Sequence, residues 1–220
     1  MPARLRPTAP IAAEAILVGD PGRALMLAQE LLAEPKMSNH ARGLWGYTGT
    51  TEAGRELTIQ ATGMGGPSAS VVLADLAELG VRRAVRIGTC ASLGDLGLGE
   101  LVVVSEAHEG QGAFVSSEAT KAPSRPDLTL TDALRDGLPE ARVAPVLSLD
   151  SLYRPERDLP STLAEVADMQ TAALLASAAE LGVAAGALLV VSERSDSGQL
   201  PDEELEAAAK SAGRASAAVL

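Results

Sequence analysis

Short apolar runs that end in glycine alternate along this chain with longer stretches whose apolar residues recur every three or four positions. Residues 15–18 are apolar and stop at Gly19-Asp20-Pro21-Gly22, which reads as a strand entering a turn. From 23 to 33 the spacing is helical, with Ala24, Leu27, Ala28 and Leu31 on one side. Residues 56–61 alternate as a strand does and meet Thr62-Gly63-Met64-Gly65-Gly66-Pro67. Pro67 suits a first helical turn, a helix over 68–79 follows, and Gly80 ends it. Residues 84–87, 101–105 and 143–149 are further strands, the first of them ending at Gly88-Thr89. An alanine-rich helix is predicted over 168–181, with Gly182 past its end. Residues 184–191, apolar on both faces, make the best central strand. Residues 202–219 read as a last amphipathic helix with acidic residues in its first turn.

Strands that alternate with helices predict an α/β protein. The expected form is a three-layer fold with a central mixed, mainly parallel sheet flanked by helices. The length of 220 residues and the lack of a long linker fit a single domain over 1–220. In such sheets ligands bind where strands run into helices, so the glycine-rich strand ends are the places to search.

Composition narrows the functions. Aromatic residues are only 2% of the chain, so the core is aliphatic and a ring-stacking site has few rings to use. A formal charge of -11 repels phosphate backbones and argues against nucleic-acid binding, while leaving room for one small anion in a local basic pocket. The one cysteine, Cys90, allows no intrachain disulfide. The first ten residues lack the apolar run of a secretory signal, and no stretch approaches the roughly 18 apolar residues of a membrane span. These features lead to the expectation of a cytoplasmic protein with no membrane partner.

Four clusters can carry chemistry. Gly19-Asp20-Pro21-Gly22-Arg23 is either ordinary turn punctuation or an anion cradle, in which backbone N–H groups before a helix are joined by a guanidinium. In Arg86-Ile87-Gly88-Thr89-Cys90 an arginine interrupts an apolar strand. Its charge is either paired inside the protein or used on an oxyanion, with Thr89 as a further donor. The loop around Met64 has neither the Walker nor the dinucleotide spacing, and shows only that a ligand or backbone comes close. Ser192-Glu193-Arg194-Ser195-Asp196 puts carboxylates at the end of the central strand, where they are either solvated or placed for acid–base work. His40 and His108 have no metal-ligand spacing around them, so no metal site is expected.

In this order and spacing the pieces resemble the nucleoside phosphorylase family that includes the hexameric purine nucleoside phosphorylases and the uridine phosphorylases. The matching stretches are GDPGRA (19–24), NHARGLWGYTGT (39–50), ATGMGGPSAS (61–70), LAELGVRRAVRIGTCASL (76–93), SLDSLY (148–153), DMQTAALLASAAELG (168–182) and VVSERSD (190–196). The resemblance implies that Gly19, Arg23, Arg86 and Thr89 bind phosphate. It implies that Arg42 reaches into a neighbouring subunit's phosphate site, hence at least a homodimer, with a trimer of dimers as the larger assembly. Met64, Leu152, Asp168, Met169 and Gln170 fall on the nucleoside side, the two methionines against the ribose. Gln170 stands where the family has a ribose-gripping glutamate, Leu152 where the purine enzymes stack a phenylalanine, and Glu193 where they carry an acidic aspartate. The family's catalytic arginine has no secure counterpart, although Arg194 is near.

The implied reaction is phosphorolysis of a nucleoside, a purine more than a pyrimidine. It yields free base and ribose 1-phosphate, with inorganic phosphate as co-substrate and no metal or organic cofactor. Glu193 would protonate the leaving base, which requires burial to raise its pKa. Two alternatives stay open: a nucleosidase of the same fold, and a nucleoside- or phosphate-binding protein with impaired catalysis. Gln170 and Leu152 are the departures that keep the second alive.

Overall fold

The elements follow one another as β1 (Glu14–Val18), α1 (Pro21–Leu31), β2 (Ala33–Asn39), β3 (Gly46–Thr50), β4 (Glu56–Ala61), α2 (Gly66–Glu78), β5 (Arg83–Ser92) and β6 (Leu101–Glu109). After them come α3 (Leu128–Gly137), β7 (Arg142–Ser148), β8 (Val166–Asp168), α4 (Thr171–Leu181), β9 (Ala184–Arg194), β10 (Gly198–Gln199) and α5 (Asp202–Val219). A one-turn helix, Ala41–Gly43, lies between β2 and β3. This computed structural model describes residues 4–110, 122–150 and 163–220.

The strands form a mixed sheet in the order β10-β9-β6-β7-β8-β5-β1-β4-β3-β2, with β9 also paired to β5. The neighbours β4, β1, β5 and β9 run parallel. Antiparallel strands sit beside them: β3 against β4, β6 against β9, and β8 against β5. Because β5 meets β9 both directly and through β8, β7 and β6, one end of the sheet curls shut.

Alternation along β1 explains the three layers. Ala15 and Leu17 join one core with Val72, Leu73 and Leu76 of α2 and Leu174 and Leu175 of α4. Ile16 and Val18 join a second core with Leu27 of α1, Leu130 of α3 and Ala212 of α5. The helices therefore cover both faces, as the strand–helix alternation implies. Their small residues allow close approach: a Cβ on Gly213 of α5 would lie 2.6 Å from Leu27 of α1.

Several elements differ from the sequence reading. The β2–β3 hairpin escapes it because β2 is largely exposed and polar and β3 holds Gly46 and Gly49. The helix expected to begin at 168 begins at Thr171, because Asp168 ends β8 opposite Ser148. The Asp168 carboxylate accepts the Thr171 backbone N–H at 3.0 Å and its hydroxyl at 2.6 Å, a local turn that competes with helix. β5 and β9 each outrun their expected ends, which places Thr89 and Glu193 within strands.

Candidate active site

The site grows from a gap in the sheet. On one edge of β5, β1 ends opposite Ile87, and the pairing with β8 covers only Ala91 and Ser92. Between them Gly88, Thr89 and Cys90 pair only with β9. Three chain turns close around this gap: Gly19-Asp20 after β1, residues 62–65 after β4, and residues 168–170 after β8. Thr62 donates its backbone N–H to Val18 at 2.7 Å. Gly19 faces the Gly63 carbonyl, and a Cβ on it would sit 3.5 Å away in ordinary van der Waals contact. Gly63 and Gly65 have φ of 73° and 80°, left-handed backbone in which glycine is unstrained.

Arg86 is only 4% exposed and is held on three sides. Its Nη2 donates to Asp168 at 2.9 Å, its Nη1 to the Gln170 Oε1 at 2.8 Å, and its Nε to the Thr171 hydroxyl at 3.1 Å. Asp168 is tied in turn by the Ser148 hydroxyl at 2.5 Å. A guanidinium carries five N–H groups, so one on each terminal nitrogen remains for another acceptor. Gly88 makes room for the folded-back side chain, since a Cβ there would lie 2.5 Å from Nη2. The internal pairing left open by the sequence is thus present, and it orients a two-pronged donor rather than using it up.

Arg23 differs. Asp20 caps α1 by accepting the Arg23 backbone N–H at 2.8 Å, yet among the described residues the Arg23 guanidinium has no hydrogen-bond partner. Burial pushes its pKa down from the ordinary value, Asp20 opposes this, and the charge of Arg86 pushes it further down. An anion between the two arginines would recover the solvation that Arg23 has lost.

The remaining expected residues divide. Gln170 is 4% exposed and spends its whole amide inside the chain. Oε1 accepts from Arg86 and from Thr62 at 3.1 Å, and Nε2 donates to the Gly63 carbonyl at 2.5 Å and the Gly65 carbonyl at 3.3 Å. Met64 sits at the loop tip, 86% exposed. Met169 lines a cavity of about 250 Å³ with Gly66, Pro67, Ser148, Leu149 and Asp150. Leu152 lies outside the described residues. Glu193 is half-buried on β9 and accepts from Gln199 of β10 at 3.3 Å. Its register partner is Ala91, two positions beyond Thr89, or about 7 Å along the strand. Arg194 turns away from it, to Asp196 at 2.7 Å and the Leu96 carbonyl.

Arg42 is exposed, with φ of 60°, and lines a separate cavity of about 390 Å³ with Arg4, Arg6, Thr8, His40 and Ala41. Asn39 and Gln60 hold the carbonyls of this loop, Gln60 Nε2 reaching that of Leu44 at 2.9 Å. Sequence reasoning missed Thr62, Ser148 and Thr171, which fix the first arginine's partners. Only Thr171 left a signal, as the fourth residue of Asp-x-x-Thr before an alanine-rich helix.

These features define a class: an α/β protein whose strand-to-helix turns converge on a buried, carboxylate-paired Arg86 with a second arginine, Arg23, nearby. The phosphorylase superfamily matches residues 14–220, and the chain belongs to that family. It is 31% identical over 207 residues to the DeoD-type purine nucleoside phosphorylase of Oceanobacillus iheyensis, a match that covers 86% of this chain and 85% of that protein. The DeoD-type enzyme of Caldanaerobacter subterraneus is 31% identical over 205 residues, 88% of each chain. Among solved structures, the purine nucleoside phosphorylase of Toxoplasma gondii in complex with immucillin-H superposes with a TM-score of 0.81. The superposition covers 95% of this chain and 89% of that one at 21% identity, a likeness of fold. The resemblance of the seven sequence stretches is borne out. Among the described residues no helix is long and apolar enough to cross a membrane.

Proposed function

We propose that this protein catalyses phosphorolysis of purine nucleosides, giving free base and ribose 1-phosphate. The observation that carries the reading is the Arg23 guanidinium, partnerless among the described residues, beside an Arg86 with two N–H groups to spare. Phosphate held there attacks the anomeric carbon, and its negative charge offsets the positive charge that develops on the sugar. Met64 and Met169 supply apolar contact for the sugar. Glu193, a further step along β9, gives its proton to the departing base. Inorganic phosphate is the co-substrate, and the proposed steps use no other cofactor. The reading is tested by a panel of purine and pyrimidine nucleosides with and without phosphate. Base release from inosine or adenosine that requires phosphate is expected. Release without phosphate would make the protein a nucleosidase, and phosphate binding without turnover would make it a binding protein.

The charge balance supports at least a homodimer. Asp168 neutralises Arg86, and Asp20 offsets part of the charge on Arg23, so the two arginines alone bring little net positive charge to an anion. Phosphate at neutral pH is in part a dianion. Arg42 of a second copy, displayed on its loop among other basic residues, would add the missing charge. Arg42→Ala and Arg23→Ala variants, each weak alone, should then regain activity when mixed, because one site of each mixed dimer holds both arginines. A monomer by light scattering would sink the idea.

A further inference from the structure

We propose that Asn39 and Gln60 are positioning residues, a buried amide clamp that fixes Arg42 for use on an anion in a neighbouring copy's site. The inference rests on the shared-site reading above and adds to it the groups that make Arg42 available. Arg42 is exposed, yet its backbone is left-handed, with φ of 60° and ψ of 19°, a region that a non-glycine residue rarely occupies. Gly43 follows with φ of 72°, so two successive residues of the turn are left-handed. His40 supplies no side-chain cap. Such a conformation persists only where the surroundings hold it.

The surroundings are two wholly buried amides. Asn39, the last residue of β2, donates its Nδ2 to carbonyls on both sides of Arg42, that of Ala41 at 3.4 Å and that of Leu44. Gln60 of β4 donates its Nε2 to the same Leu44 carbonyl at 2.9 Å and to that of Trp45 at 3.4 Å. The strand β3 opens with glycine to admit them, since a Cβ on Gly46 would collide with the Gln60 side chain and lie 3.0 Å from the Ser38 hydroxyl. The Asn39 Oδ1 accepts the Arg6 backbone N–H at 2.8 Å, so the same amide straps the N-terminal segment to the turn. That segment is held further along by Asp75 of α2, which accepts the Arg4 and Leu5 N–H groups at 2.7 Å. Segment and turn together line the basic cavity. Folding alone does not call for an arginine here, because glycine at 42 would adopt the same backbone without strain. What the clamp supplies is preorganisation: an anion between two copies meets a guanidinium on a fixed backbone, and binding does not have to order a mobile turn.

The test is a double-mutant cycle in the full-length protein, with inorganic phosphate as the calorimetric probe and thermal denaturation as the check on folding. Asn39→Ala removes the clamp, Arg42→Ala removes the group it holds, and a third variant carries both changes. Asn39→Ala alone is expected to weaken phosphate binding about tenfold, the low end for loss of a charge-assisted contact. It should have no effect where Arg42 is already alanine, because a positioning residue acts only through the residue it positions. A merely structural role predicts the same loss in both backgrounds, and that outcome overturns the proposal. So does wild-type affinity in a folded Asn39→Ala variant. Should Asn39→Ala fail to fold, Gln60→Met enters the same cycle, keeping the bulk while removing the bonds to Leu44 and Trp45, and the same outcomes decide. An Arg42→Ala variant that binds phosphate as tightly as wild type is a different result, which removes the shared-site reading and this inference with it. A wild type that binds no phosphate removes the phosphorolysis reading as well.

Discussion

Arg23→Ala is expected to weaken phosphate binding about ten- to hundredfold with little change in stability, whereas Arg86→Ala is expected to cost both. The difference follows from their partners. Arg23 has no hydrogen-bonded acceptor for its guanidinium among the described residues, so removing it strands nothing. What is lost is one charge-assisted contact to the anion, worth roughly 1.5–3 kcal/mol. Relief of the repulsion from Arg86 offsets part of any lost packing. Arg86→Ala instead leaves Asp168, whose side chain is wholly buried, without its cation. Breaking a buried pair in this way costs about 3–5 kcal/mol, a large share of the roughly 5–15 kcal/mol typical of a whole protein. Two measurements separate the arginines: calorimetric titration with phosphate and the midpoint of urea unfolding. If Arg23→Ala binds phosphate as tightly as wild type, the anion does not sit between the two arginines.

The pair also shows what could be read without coordinates. An arginine in an apolar strand announces that something compensates its charge, and the glycine beside it announces close approach. Both statements hold, since Gly88 lies under the folded guanidinium. The sequence left open which partner Arg86 uses. Asp168, Gln170 and Thr171 lie more than eighty residues away along the chain, and only the pairing of β8 with β5 brings them together. β8 itself is three residues long and merges in sequence with an alanine-rich helix, so the local pattern favoured helix. Long elements with both faces buried, such as β9, were legible because burial alone dictates their residues. The polar β2 and its glycine-containing partner β3 were not, because neighbouring strands rather than periodicity hold them. The resemblance of seven stretches points to a candidate site on which composition is silent, and its Gln170 departure acquires meaning only from the four bonds that the amide makes.

Glu193→Gln is expected to lower turnover by on the order of a hundredfold, the lower range of general-acid assistance, while leaving phosphate affinity unchanged. Negative charge gathers on the base as the glycosidic bond lengthens, and a carboxylic acid within reach can transfer its proton as that charge appears. Glu193 uses one oxygen to accept from Gln199 at 3.3 Å, and Gln199 is fixed opposite it by the β9–β10 pairing. The other oxygen is the one available to the base. Seating a purine ring over the half-buried side chain would exclude water from between the carboxyl group and the base. The neighbouring Asp196 is a poor proton donor by comparison. Hydrogen bonds from Arg194 and then Ser197 hold its carboxyl far below the usual carboxylate range, so it stays ionised. The amide introduced by the substitution matches glutamate in size and still pairs with Gln199, but it has no proton to give. The loss should therefore depend on the leaving group, steep for inosine or adenosine and shallow for a nucleoside such as 7-methylguanosine, whose base leaves without protonation. Steady-state rates of wild type and variant on both kinds of substrate measure this. Equal losses on both would assign Glu193 a part in binding, and full turnover by the variant would mean that solvent protonates the base.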